Sequence, residues 1–173
     1  MIINITPSME ESLLQLEYLD IALTIGATWW FPFIESIHVL AATFMLGMLL
    51  MVDLRLLGVA AKHYSVNSIL KQQLPWVWLG FVVAVVTGGL MFITNALAYA
   101  SNPAMQYKLL LILIAGLNTV FLHALLKPMK RVADQLNSVS SNTGFQLTAV
   151  AGGVSLSIWV AIIFAGRWIG HIQ

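Results

Sequence analysis

LPWVWLGFVVAVVTGGLMFITNAL, residues 74–97, holds no charged side chain, and the charge-free window around it runs from Lys71 to Lys108. A helix needs about 20 apolar residues to cross a hydrocarbon layer, so this stretch predicts a transmembrane helix. Three other stretches have comparable length and character: about 31–60, 109–126 and 145–166. None of the four alternates with period two, and four segments of one chain cannot close a barrel. The connections are short, which makes sequential neighbours antiparallel. The predicted fold is therefore all-α, an integral membrane four-helix up-down bundle. Residues 29–173 form the bundle, and residues 1–28 are an outer-face segment.

Composition supports this reading. Of 173 residues 60% are hydrophobic and 9% charged, where a soluble domain has about 45–50% and 25%. Mean hydropathy is +0.89. A net charge of +1 gives no electrostatic footprint for nucleic acid. With no cysteine, disulfides, thiolate metal sites, iron–sulfur clusters and covalently attached haem are excluded.

Orientation follows the basic residues. Arg55, Lys62 and Lys71 flank the first connection, and Lys127, Lys130 and Arg131 the third, so six of the eight cations fall on one side. That side is expected to be cytoplasmic, giving a multi-pass protein of the bacterial inner membrane with both termini outside. Trp29, Trp30, Tyr99, Tyr107 and Trp168 would mark the outer interface, Trp76 and Trp78 the inner one. The acidic start lacks the basic region of a signal peptide. Ser8 and Glu11 stand at capping-box spacing. Leucines interleaved with acids beyond them predict an amphipathic helix on the outer interface.

Two ladders of small residues, Gly80–Ala84–Gly88 and Ala149–Gly153–Ser157–Ala161–Ala165, predict close helix contacts, within one chain or between copies. The ionisable groups inside the spans default to function. Glu35 and His38 share a helix face near the outer end, and Lys108 and Arg167 lie at the same end. An ion-pair network between Glu35 and these two cations, beside His38, is the expected arrangement, either as a site or as a device that fixes register. Asp53, Arg55 and His123 form a second group at the inner end, where a snorkelling Arg55 and a hydrogen-bonded His123 are the plainer account. His63 and His171 are expected in solvent. Met45, Met48 and Met51 below His38 suit monovalent copper by ligand type, and suit packing as well.

The run from Trp30 through Glu35 to His38, then Asp53-Leu54-Arg55-Leu56-Leu57-Gly58, resembles a family of uncharacterised bacterial four-helix membrane proteins. Leu74-Pro75-Trp76, Thr87-Gly88, Lys108 with Asn118, and Gly166-Arg167-Trp168-Ile169 continue the pattern. More distantly, His38, Gly47, Arg55 and Lys108 are similar to a pattern in the CopD copper-resistance proteins and the HemJ-type protoporphyrinogen oxidases. The latter resemblance implies b-type haem. Asn118 stands where the HemJ-type pattern has a further histidine.

Three functions follow as expectations. One is a b-type haem redox or electron-transfer protein with His38 as axial ligand, and with Glu35, Lys108, Arg167, Asn118 and His123 lining the cofactor. Another is copper handling from the periplasmic side through Glu35 and His38. The last is a non-catalytic subunit of a larger membrane assembly. The expected partners are the lipid bilayer, further copies of the chain or other subunits, and a periplasmic protein.

Overall fold

The structure, a computed structural model, describes residues 5–60, 63, 66–118 and 142–169, with the side chains of 66–67 and 142–148 left aside. These residues fold into seven helices with no strand among them. In chain order they are α1 (Pro7–Glu17), α2 (Asp20–Ala27), α3 (Trp30–Leu56), α4 (Val66–Ile93), α5 (Ala96–Ser101), α6 (described over Pro103–Asn118) and α7 (Asn142–Trp168).

Three of these, α3, α4 and α7, are long and apolar enough to cross a membrane. At 1.5 Å per residue the 27-residue α3 is about 40 Å long, more than the hydrocarbon layer requires. Within the most apolar stretches of α3 and α4, 22% and 17% of residues are buried. Val39, Leu40, Val82, Val85, Val86, Ile163 and Phe164 lie exposed along the spans. In water that much exposed hydrocarbon would drive aggregation; facing lipid tails it costs nothing. The chain is thus a membrane-embedded protein. The described part of α6 is shorter than a span, and residues 119–126 of the expected third crossing lie outside the described residues, so the fourth crossing remains an expectation.

Helix ends differ from the sequence reading for local reasons. The first span was expected to reach residue 60, yet α3 stops at Leu56. Gly58 takes φ 72°. Its N–H donates to Arg55 O at 3.1 Å and Val59 N–H to Leu54 O at 2.9 Å, the paired bonds of a Schellman motif, which needs a left-handed residue at this position. The second span was expected to run to residue 97, but α4 ends at Ile93 and α5 is a separate short helix. The third was expected to open at Lys108–Leu109. Instead α6 begins at Pro103, because Asn102 Oδ1 accepts the N–H groups of Ala104 (2.9 Å) and Met105 (3.4 Å) and caps the helix.

The N-terminal segment is two helices. The expected Ser8–Glu11 capping box is not formed: Thr6 is the N-cap, Pro7 occupies the first turn, and no side chain caps the helix. No residue of α1 is buried, whereas α2 buries Ala22 and Ile25 and packs on α3 and α4. Glu17 Oε1 accepts the N–H of Leu97 at 2.8 Å, so α1 ends by capping α5.

The main packing contact is α3 against α4. The Gly80–Ala84–Gly88 ladder forms it. A Cβ on Gly80 would lie 3.0 Å from Met45 Cβ and 3.2 Å from Ala41 O. On the other side α3 meets α7; of the expected ladder, a Cβ on Gly153 would lie 3.7 Å from Leu57 Cδ2, but the closest approach falls one residue away. Ala151, Gly152, Ser155 and Ile162 are the more buried positions of α7, and a Cβ on Gly152 would approach Leu56 Cβ to 2.8 Å. The Ala149–Ala165 stripe lies to one side, half-buried, with Ser157 exposed.

Candidate functional site

His38 sits two turns into α3 on the face that meets α4. Its Nδ1 lies 2.9 Å from the backbone oxygen of Ala84 and 3.1 Å from Thr87 Oγ1. A carbonyl oxygen can only accept, so Nδ1 carries the hydrogen. The Thr87 hydroxyl proton is committed to its own helix, with Oγ1 2.7 Å from Val83 O and 3.2 Å from Ala84 O. Thr87 Oγ1 therefore receives a share of the same imidazole N–H. The ring is thereby held in orientation, and in its neutral form the lone pair falls on Nε2. Gly88 makes the arrangement sterically possible: a Cβ there would stand 3.0 Å from His38 Cε1 and 3.4 Å from Nδ1.

The expected charges surround this imidazole without pairing. Lys108 and Glu35 are both near enough to act on His38 electrostatically. Lys108 is half-buried, and its stem runs along α7, with Nζ, Cε and Cδ 3.7–3.9 Å from where a Cβ on Gly166 would be. Glu35 and Arg167 are exposed. Among the described residues no ion pair within 4.0 Å joins Glu35 to Lys108 or Arg167. The expected network is therefore not formed. Its cause is rotational: His38 turns into the α3–α4 contact while Glu35, three residues earlier, stays on the outer surface, and Lys108 is drawn to α7. Glu35 does act on Tyr99 of α5. Burial first, then this carboxylate, pushes the Tyr99 phenol above its ordinary range.

Other expected members lie elsewhere. Asn118 Nδ2 is 3.5 Å from Ala151 O on α7, next to Gly152 and so at the level where α7 meets the end of α3, far from His38. His123 and His171 lie outside the described residues. His63 is exposed, as expected. The methionines do not converge. Met45 is buried against Gly80, while Met51 is exposed. Among the described residues no three His, Cys, Asp or Glu side chains gather as a metal-binding group.

Sequence reasoning missed Thr87 and the Ala84 carbonyl as partners of His38, and it missed Asn102 and Ser155. The signal for Thr87 and Gly88 was present, since both stand on the ladder side of α4, but no periodicity tells which rung faces a histidine. Asn102 was legible as an Asn-Pro pair, a common start of a helix. Ser155 makes a side-chain hydrogen bond to Asp53, and both are buried.

No curated protein and no solved structure matches the chain. One family model does, over residues 13–172, and it describes a family of unknown function.

Proposed function

Because the chain belongs to DUF6644, a family of unknown function, its activity must be argued from its own residues, and we propose that it is a b-type haem-binding electron-transfer protein of the inner membrane in which His38 is an axial ligand. The observation that carries this reading is the 2.9 Å contact from His38 Nδ1 to the Ala84 carbonyl. An iron-ligating imidazole needs its ring held in orientation and Nδ1 carrying the hydrogen, and a backbone acceptor at Nδ1 supplies this, leaving the lone pair of the neutral ring on Nε2. Thr87 strengthens that hold, and the missing side chain of Gly88 leaves the ring its place.

The surrounding residues fit the same group. Lys108 is a half-buried cation close to the imidazole, and an ammonium at the polar end of a membrane pocket binds carboxylates such as haem propionates. Arg167, exposed beside the Gly166 that carries the Lys108 stem, offers a second cation at the bundle end. Glu35 keeps the outer surface polar where α3 begins. Haem, when bound, supplies reversible one-electron chemistry between ferric and ferrous iron. The chain's own part is to present Nε2, to hold the anionic edge of the ligand, and to exclude water with the α3–α4 contact.

The test is spectroscopic. The full chain, purified in detergent and incubated with haemin, is expected to show a Soret band that shifts on dithionite reduction, and His38→Ala is expected to lose it while the helical content is retained. No Soret band in the wild type, or a full one in His38→Ala, overturns the reading. Copper found instead by elemental analysis, and lost in His38→Ala, would point to metal handling. Binding of neither would leave a structural subunit of a membrane assembly as the function.

A further inference from the structure

At the other end of α3, about 22 Å along the helix from His38, a carboxyl group is buried with too few partners. Asp53 is 3% exposed. Ser155 of α7, itself 7% exposed, makes a side-chain hydrogen bond to it. The second carboxyl oxygen, Oδ2, is buried and has no hydrogen-bond partner among the described residues. We propose that Asp53 is a proton-binding site, holding its carboxyl group as the neutral acid with the proton on Oδ2 while Ser155 donates to Oδ1.

Solvation decides between the acid and its anion. A carboxylate removed from water costs several kcal/mol unless matched by a cation or by several donors. One hydroxyl does not match it. Among the described residues, the charged and titratable groups of the surrounding elements do not supply the rest, and Lys62, His123 and Lys127 lie outside them. The only ionisable side chain of α7 is Arg167, at its far end. On α4, Lys71 is exposed, and so is His63 in the preceding connection. On α3 itself Arg55 is two residues on, roughly 200° around the helix, and so points away from Asp53. Val52 and Leu56, within three residues of Asp53 on α3, form an apolar cluster with Ile69.

A bound metal cation is disfavoured by space. The α3 and α7 backbones are nearly in contact here: a Cβ on Gly152 would lie 2.8 Å from Leu56 Cβ and 3.1 Å from the Asp53 carbonyl oxygen. A proton needs no room. It can also reach the group, since Asp53 lies only three residues from the end of α3 and therefore near the aqueous boundary. The ligand is a proton.

Isotope-edited infrared spectroscopy of the full chain in lipid nanodiscs tests this without reference to haem. Carboxyl-labelled aspartate enters at Asp20, Asp53 and Asp134 only. At pH 7 the wild type is expected to show a labelled carboxylic-acid carbonyl band. Asp53→Asn should lose it completely. Ser155→Ala should move it to higher frequency, because a hydrogen bond to the carbonyl oxygen lowers its stretch. Only carboxylate bands in the labelled wild type would overturn the proposal, and so would an acid band indifferent to both substitutions. If Asp53→Asn fails to fold, the wild-type band and its displacement in Ser155→Ala still decide.

Discussion

At the scale of single residues, the closest fit in the molecule is between the His38 imidazole and Gly88. A methyl group at position 88 would enter at 3.0 Å from Cε1, so Gly88→Ala must push the ring off its Ala84 acceptor or part the two helices. Overpacking of this kind costs about 1–3 kcal/mol, and a displaced imidazole cannot hold the same ligand. Gly88→Ala is expected to lower the melting temperature in detergent and to lose the haem uptake proposed above. Gly89→Ala, where nothing lies within 4 Å of the new methyl, should change neither. Equal behaviour of the two variants would show that the ring is not seated as described. His38 was legible in the sequence as an ionisable group inside a span, and so were Lys108 and Glu35. What no spacing reveals is rotation about the helix axis. Glu35 and His38 are neighbours on one face, yet one is exposed and the other faces α4, since a helix face is wider than one residue.

The two ladders teach the same lesson at the scale of elements. Both were legible as small-residue stripes, and both belong to helices that pack on α3. On α4 the stripe is the contact. On α7 the closest approach falls beside it, because Gly152 and Ser155, one or two residues off that stripe, are what let α7 approach Leu56 and Asp53. A polar pair fixed the rotation of α7, and periodicity of size alone could not report it. Gly152→Ala is therefore expected to destabilise the α3–α7 contact by about 1–3 kcal/mol, read as a lower denaturation midpoint. Gly116→Ala, with nothing within 4 Å of its new methyl, should stay near the wild-type midpoint or rise slightly. A Gly152→Ala midpoint matching that of Gly116→Ala would mean the two helices do not meet there. Helix ends were the least legible elements, since they turn on single groups: the left-handed Gly58, and the Asn102 side chain that starts α6 and also donates to Ile169 O at 3.1 Å, tying α6 to the end of α7.

At the scale of the whole molecule, charge asymmetry is what places the protein in its membrane. Six basic residues on one side predict a cytoplasmic location for the connections after the first and third spans, which would put the Asp53 end inside and the His38 end outside. Single cysteines introduced at positions 64 and 138 of this cysteine-free chain are expected to resist an impermeant maleimide in intact cells and to react once the membrane is permeabilised. Labelling in intact cells would reverse the orientation. The membrane class was legible because it rests on composition summed over about 20 residues, where single errors average out.

The hydrogen bond from Leu97 N–H to Glu17 also bears on how the chain assembles. The two residues are 80 positions apart, and both long helices α3 and α4 lie between them. Closing so long a loop must wait until α4 has crossed the bilayer and returned the chain to the level where α1 lies. During biogenesis α1 therefore exists before its dock does, with no buried residue of its own to hold it. A segment synthesised before α3 and α4 is thus among the last to find its place, and until then it is open to proteases and chaperones.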